Sequence, residues 1–313
     1  MTDYDKRLFL TPGPAQLTGK SASHLRTAFG RGDDHFAQQS DAVGGFLQKI
    51  TGQNRVISLQ GSGSLANQVM VENFLFGKVL VVDSGFYSRR LYLMAQSAEH
   101  VTSVDLVSMD QAGVGAYDWV LGTSVETGKG TLVEIRQLRA LADRLGAELA
   151  LDGVASVGLE AHHELADVVG FSSCKGLFGL TGACFVASKE PPTNTSSSFY
   201  LSYATHSEKS VTGPYNQMQS IFGLIGSHES LLSVVQENKQ ILLRTFASML
   251  NVDLSQQPLI TTAIRGDFTS ELSVVRYRPR NAEVGVSVLS SLGYLENKDP
   301  KKNPYLTLKP RLN

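Results

Sequence analysis

The chain has 313 residues, 42% of them hydrophobic and 18% charged, with 28 basic against 29 acidic side chains for a formal net charge of −1. This is the composition of a globular protein with a large core, and it argues against a nucleic-acid partner, since Lys301-Lys302 is the only conspicuous basic pair. No long uncharged apolar stretch and no charged-then-apolar leader is present (the chain opens MTDYDKRLF), so a cytoplasmic protein without a membrane partner is expected. In chain order, helical spacing predicts a first helix in HFAQQSDAVGGFLQKIT, then a strand RVISLQ, a helix from Ser64 to Phe76, and a strand KVLVVD. A helix YSRRLYLMAQSA, strands HVTSVDL and DWVLGTS, a helix TLVEIRQLRALADRLG, and strands ELALDG, DVVGFSS and ACFVAS follow. Strands alternating with helices predict an α/β domain with a mostly parallel sheet sandwiched by helices. After the breaker-rich loop PPTNTSSS, a long helical stretch beyond Gln217 leads into a small α+β unit, with PLITTAI and LSVVRYR as strands and AEVGVSVLSSLG as a helix. The expected division is 1–225 for the large domain and 226–313 for the small one.

Two cysteines, Cys174 and Cys184, make neither a disulfide framework nor a metal-ligand pattern and are expected in the core. His162-His163 lacks further ligands nearby and is expected as a solvated surface pair, so no metal is expected.

Chemistry concentrates at three strand ends. The loop Gly61-Ser62-Gly63-Ser64 lies between a strand and a helix, where unpaired backbone N–H groups and the positive end of the helix dipole suit an anion. Read as G-x-G-x-x-A, with Asp83 22 residues after Gly61, the loop also matches a dinucleotide fingerprint. Asp152 ends an apolar strand, and 23 residues later Lys175 sits in a Ser- and Gly-rich connection between two apolar strands. Ligands gather at the carboxyl ends of parallel strands, so loop, acid and lysine are expected in one crevice. Together they meet the needs of pyridoxal phosphate: an amine for its aldehyde, an acid for its ring nitrogen and a cradle for its phosphate. A nicotinamide has no use for Lys175.

The motifs LFLTPGPAQLT, RGDDHF, LQGSGSLANQ, VLVVDSGFYSRR, SVETGKG, LDGVASVG, FSSCKGLFGLTGACFV and VTGPYN run in order from Leu8 to about residue 217. In this the chain resembles the class V, fold-type I aminotransferases that use pyridoxal 5'-phosphate, and especially those that act on small aminophosphonates. The resemblance implies a seven-stranded, mostly parallel sheet, with Lys175 as the Schiff-base lysine and proton shuttle and Asp152 as partner of the ring nitrogen. It implies a phosphate-binding turn at Ser62, Gly63 and Ser64, Tyr87 stacked on the cofactor ring, and Thr127 and Ser173 close to it, with Glu126 bracing its loop. Tyr215 and Gln217 match a segment that reaches the neighbour's phosphate, which implies a homodimer with composite sites. Pro12, Gly13 and Pro14 match a loop lining the substrate side.

Relatives close the pocket with a C-terminal arginine that grips the substrate carboxylate. The matching region here reads NPYLTLKPRLN, which leaves Lys309 or Arg311 as substitutes, with Arg90 and Arg31 as further anion-binding candidates. The implied activity is transamination from a small amine donor, such as 2-aminoethylphosphonate, to a 2-oxo acid such as pyruvate. Lyase chemistry in the same fold, and a cofactor-binding relative without turnover, are the alternatives.

Overall fold

The computed structural model describes residues 7–23, 25, 32–113, 115–296 and 299–311. The first elements are strand β1 (Leu8–Leu10), helices α1 (Gly19–Ser23) and α2 (Asp34–Thr51), β2 (Arg55–Gln60), α3 (Gly63–Phe74), β3 (Gly77–Val82), α4 (Phe86–Ser97), β4 (Val101–Val107) and β5 (Trp119–Thr123). A small hairpin, β6 (Val125–Glu126) and β7 (Thr131–Leu132), precedes α5 (Ile135–Leu145), β8 (Glu148–Asp152), β9 (Val168–Ser172) and β10 (Ala183–Ser188). Then come α6 (Tyr203–Ser207), α7 (Tyr215–Phe222) and α8 (His228–Thr245), and finally β11 (Thr261–Arg265), β12 (Asp267–Ser270), β13 (Val274–Arg276), β14 (Val286–Ser290) and β15 (Leu308–Arg311).

The seven strands expected for the large domain form one sheet in the order β2-β10-β9-β8-β5-β3-β4, in which β10 alone runs antiparallel. Alternate residues serve opposite faces, as the strand pleat requires. Leu80 and Val82 of β3 pack with Val43 and Leu47 of α2 and Leu138 and Leu141 of α5. Val79 and Val81 pack on the other side with Val69 and Met70 of α3 and Leu91 and Ala95 of α4. Helix α2 starts where the Asp33 carboxylate accepts from His35 N–H and Phe36 N–H, and it stops at Gly52, whose φ of 65° a side chain would strain.

The carboxyl-terminal region corrects two expectations. The stretch AEVGVSVLSSLG, expected as a helix, contains strand β14, which pairs antiparallel with β11 from Thr261↔Ser290 to Arg265↔Val286. Val286 and Val288 are β-branched, Gly285 turns the chain at φ 76°, and the apparent helical spacing was too short to outweigh both. The helical stretch after Gln217 is not continuous either. It breaks at Gly223, passes through a 3₁₀ turn at Ile225–Ser227, and restarts as α8.

β1 pairs in parallel with β13, and Leu8 and Leu10 pack with Ile241, Phe246 and Leu289. The N-terminal segment thereby crosses from the carboxyl-terminal layer to the large sheet, and it brings the Pro12–Pro14 turn to the sheet's carboxyl edge. Among the described residues, no helix is long and apolar enough to cross a membrane.

Candidate active site

A cavity of about 180 Å³ lies at the carboxyl ends of the parallel strands, and Ser64, Tyr87, Arg90, Thr127, Asp152 and Lys175 are among its lining. Five of these six, all but Arg90, were expected near a cofactor from sequence.

At one end, β2 stops at Gln60 and Gly61 N–H donates to Gly182 O at 2.9 Å. Ser62 is the extended N-cap of α3; its carbonyl takes Leu65 N–H at 2.8 Å, and its side chain is exposed. Gly63 and Ser64 form the first turn and line the cavity, with the dipole's positive end directed there. A β-carbon at Gly63 would lie 2.5 Å from Val154 Cγ2, so only glycine lets this turn sit against the segment after Asp152. Arg90 Nη1 donates to Ser64 Oγ at 2.8 Å. The structure therefore places Arg90 beside the helix N-terminus, where it adds a full positive charge to the anion cradle.

In the same lining, Asp152 terminates β8 and is 6% exposed. It accepts Val154 N–H at 3.0 Å. Burial pushes its carboxyl pKa up, while the Val154 N–H, the Asn67 amide, Lys175 and Arg90 pull it down. Asn67 lies one turn into α3 and was missed in the sequence; its only signal was its spacing after the Gly63–Ser64 turn.

Lys175 follows β9 in a loop laced by its own backbone. Ser173 Oγ donates to Leu180 O at 2.5 Å, and Phe178 N–H donates to Lys175 O at 2.9 Å. The Ser173 hydroxyl thus shapes the lysine loop rather than lining the cavity. Lys175 Nζ stands 6.0 Å from the Tyr87 ring centroid. The Pro12–Pro14 turn presses on the lysine stem: a β-carbon on Gly13, whose φ is 134°, would approach Lys175 Cγ to 3.0 Å. Ala15 N–H ties the turn down by donating to Cys174 O at 2.7 Å.

Tyr87 is fixed from below. Glu126, 1% exposed, accepts Tyr87 N–H at 2.9 Å and Gly128 N–H at 3.3 Å, and burial raises its carboxyl pKa. The carboxylate also sits at the N-terminus of α4, where the helix dipole favours it. Thr127 follows on the same hairpin.

Tyr215 and Gln217 are elsewhere. Tyr215 packs edge-on against Phe36 with centroids 4.5 Å apart and lines a separate cavity of about 200 Å³. Gln217 Nε2 donates to Thr181 O at 3.3 Å. Neither lines the Lys175 cavity of its own chain. Arg311 is exposed and 3.6 Å from Asp267 Oδ2, and Lys309 pairs with Glu271 at 2.6 Å, so the structure does not bring the two C-terminal candidates to the cavity. Arg31 lies outside the described residues. Cys184 is buried in the core as expected, whereas Cys174 is half-buried beside Lys175.

The expected surface histidine pair is half wrong. His163 is 1% exposed, and burial pulls its pKa down to about 4. It joins a buried chain in which Ser124 Oγ donates to Ser156 Oγ at 2.6 Å and Ser156 Oγ meets His163 Nε2 at 2.9 Å, behind the strand end that carries Asp152. An unfolded histidine takes its proton near pH 6.5, and the folded one resists until about 4. His163 thus contributes stability that is complete above pH 6.5 and is lost as pH falls towards 4, about 3 kcal/mol in all. Urea unfolding at pH 4.5 and pH 7 should show a loss smaller by about 2 kcal/mol in His163→Gln than in the parent. Equal losses in both proteins would refute this account.

The dinucleotide reading fails on topology. A fingerprint of that kind needs the glycine loop and the acid on neighbouring parallel strands. Here β2 and β3 are separated by four strands, and Asp83 is committed to Arg89 at 3.1 Å.

The donor set fits pyridoxal phosphate: a helix N-terminus reinforced by Arg90, a glycine cradle that a β-carbon would fill, a buried acid, and an amine lining the same cavity. No protein-family model matches the chain. The chain is 25% identical over 255 residues, 74% of its length and 68% of the relative's, to the 2-aminoethylphosphonate–pyruvate transaminase of Pseudomonas aeruginosa. It is 26% identical over 203 residues, 58% of its length and 54% of the relative's, to that of Cupriavidus necator. Among solved structures, it superposes on a Thermus thermophilus aspartate aminotransferase with a TM-score of 0.81 at 20% identity, over 92% of this chain and 94% of that one. An alanine–glyoxylate aminotransferase from Nostoc superposes with a TM-score of 0.78 at 17% identity, over 96% and 93%. In fold and in sequence, the chain is similar to the class V, fold-type I aminotransferases.

Proposed function

We propose that the chain is a pyridoxal phosphate-dependent aminotransferase that passes the amino group of a small anionic amine, such as 2-aminoethylphosphonate, to a 2-oxo acid such as pyruvate. The observation that carries this reading is the meeting of Lys175, Asp152 and the Arg90-reinforced N-terminus of α3 around one cavity. When bound, the cofactor supplies an aldehyde and an electron-poor ring. Asp152 holds a proton at the ring nitrogen. Gly63 and Ser64 N–H with Arg90 hold the phosphate. Tyr87 gives the ring a flat wall. Lys175 Nζ moves the proton off the donor carbon that bears the amine, and the Pro12–Pro14 turn confines the lysine stem so that the amine keeps its place.

Tyr215 and Gln217 are assigned to the phosphate of a neighbouring copy, which makes the active unit a homodimer; the likeness of VTGPYN to the segment that does this in relatives carries the assignment.

The test is direct. Protein loaded with pyridoxal phosphate should show a visible absorption band, lose it on addition of 2-aminoethylphosphonate alone, and regain it with pyruvate while alanine forms, with ping-pong kinetics. Pyruvate-independent product formation without bleaching would indicate lyase chemistry instead. A protein that takes up no cofactor sinks the reading.

A further inference from the structure

The Lys175 cavity adjoins a smaller cleft, and the two share Tyr87. The cleft's outer wall comes from the segment after β13. Tyr277 lies close to Tyr87 and Thr127, and Pro279 lies 3.7 Å from where a β-carbon on Gly128 would be. Arg280 lines the same cleft, exposed, with its guanidinium carbon 5.5 Å from the Phe86 ring centroid. We propose that Arg280 recognises the oxyanion end of the substrates, carboxylate or phosphonate, and so sets specificity; this rests on the aminotransferase reading above.

Apart from Lys175 itself and Arg278, which lines neither cavity, the other cations near the site are committed. Arg90 donates to Ser64 at the phosphate end, and Lys129 Nζ donates to Ser84 O at 2.8 Å. Lys309 and Arg311 pair with Glu271 and Asp267. Among the described residues, Arg280 is paired with no carboxylate. Glu126, the acid of that cleft, is spent on Tyr87 N–H and Gly128 N–H. A guanidinium offers a planar fork that matches two oxygens of a carboxylate or a phosphonate. Resting on the Phe86 ring holds that fork in place before the ligand arrives, which lowers the ordering cost of binding. Both half-reactions use one cavity, so one arginine meets both substrates.

The experiment compares the full chain with Arg280→Ala, Arg280→Lys and Arg278→Ala. Calorimetric titration with propionate and with ethylphosphonate, neither of which carries an amine, reads anion binding without turnover. Arg280→Ala should weaken binding roughly 10- to 100-fold. Arg280→Lys should recover part of it, Arg278→Ala should match the parent, and melting temperatures should agree, since Arg280 is exposed. In the loaded enzyme, KM for donor and acceptor should rise by the same factor with a smaller change in kcat. Loss of one anion alone, with the other unchanged, overturns the claim that one arginine meets both substrates. Unchanged binding in Arg280→Ala, a larger loss in Arg278→Ala, or no anion binding by the parent at millimolar concentration overturns it. A parent that binds the anions through Arg280 yet takes up no pyridoxal phosphate would refute the proposed function and leave the anion site standing.

Discussion

Lys175→Ala is expected to yield a folded protein with no visible absorption band after incubation with pyridoxal phosphate, and with turnover reduced roughly 10⁴-fold or more. The size follows from what the side chain does. It is the amine in the cavity that also holds the cradle and the acid, and the Gly13 turn confines its stem, so no described group is positioned to take over its proton transfer. The fold should survive. The lysine loop is held by backbone and by Ser173, through Phe178 N–H to Lys175 O and Ser173 Oγ to Leu180 O, and none of these bonds uses the lysine side chain. Lys175→Arg separates charge from chemistry. It keeps a cation near Asp152 but offers a guanidinium that neither bonds the aldehyde nor gives up a proton. It should therefore bind the cofactor phosphate and remain inactive. Absorbance spectra and initial rates of the two variants decide the matter. Turnover above about one per cent of the parent in either would assign proton transfer to another group.

What the sequence made visible, and what it hid, divides along range. The five inner strands of the central sheet are short, largely apolar runs buried on both faces, and such runs identify themselves; β2 and β4 at the edges are partly exposed. The phosphate turn, Asp152 and Lys175 were legible because each stands at a strand end, and topology sends strand ends of a parallel sheet to one edge. β14 was misread because Val286–Ser290, VSVLS, is too short to separate period 2 from period 3.6; its strand character comes from pairing with β11. His163 was misread because its burial depends on a distant element. Gln53, just past the end of α2, donates to His163 O at 3.1 Å and to Ala166 O at 3.0 Å, and no local pattern announces those contacts. The segment carrying Tyr277 and Arg280 lies about 100 residues from Lys175 in the chain. It reaches the cleft beside the cavity because β13 is pinned to β1, and β1 continues into the turn that touches the lysine. Arg311, chosen from position alone, follows β15 away to Asp267.

The second large effect is expected at Asp152. Asp152→Asn keeps the shape and keeps an oxygen to accept Val154 N–H, so strand β8 and the turn after it should hold. What disappears is the negative charge. In a site this buried, a proton on the cofactor ring nitrogen has no water to stabilise it, and removing one member of a buried charge pair costs about 3–5 kcal/mol. A drop in kcat of about 10²- to 10⁴-fold is the expected consequence, with cofactor retention changed much less because the phosphate cradle is untouched. Asp152→Glu provides the control: it restores charge but lengthens the side chain by one methylene in a spot hemmed by Asn67 and Val154, so partial recovery is expected. Rapid-mixing measurement of the first half-reaction isolates this step from pyruvate binding. If Asp152→Asn turns over within threefold of the parent, the ring nitrogen does not rely on that carboxylate, and the orientation assigned to the cofactor, phosphate towards α3 and ring nitrogen towards β8, is wrong.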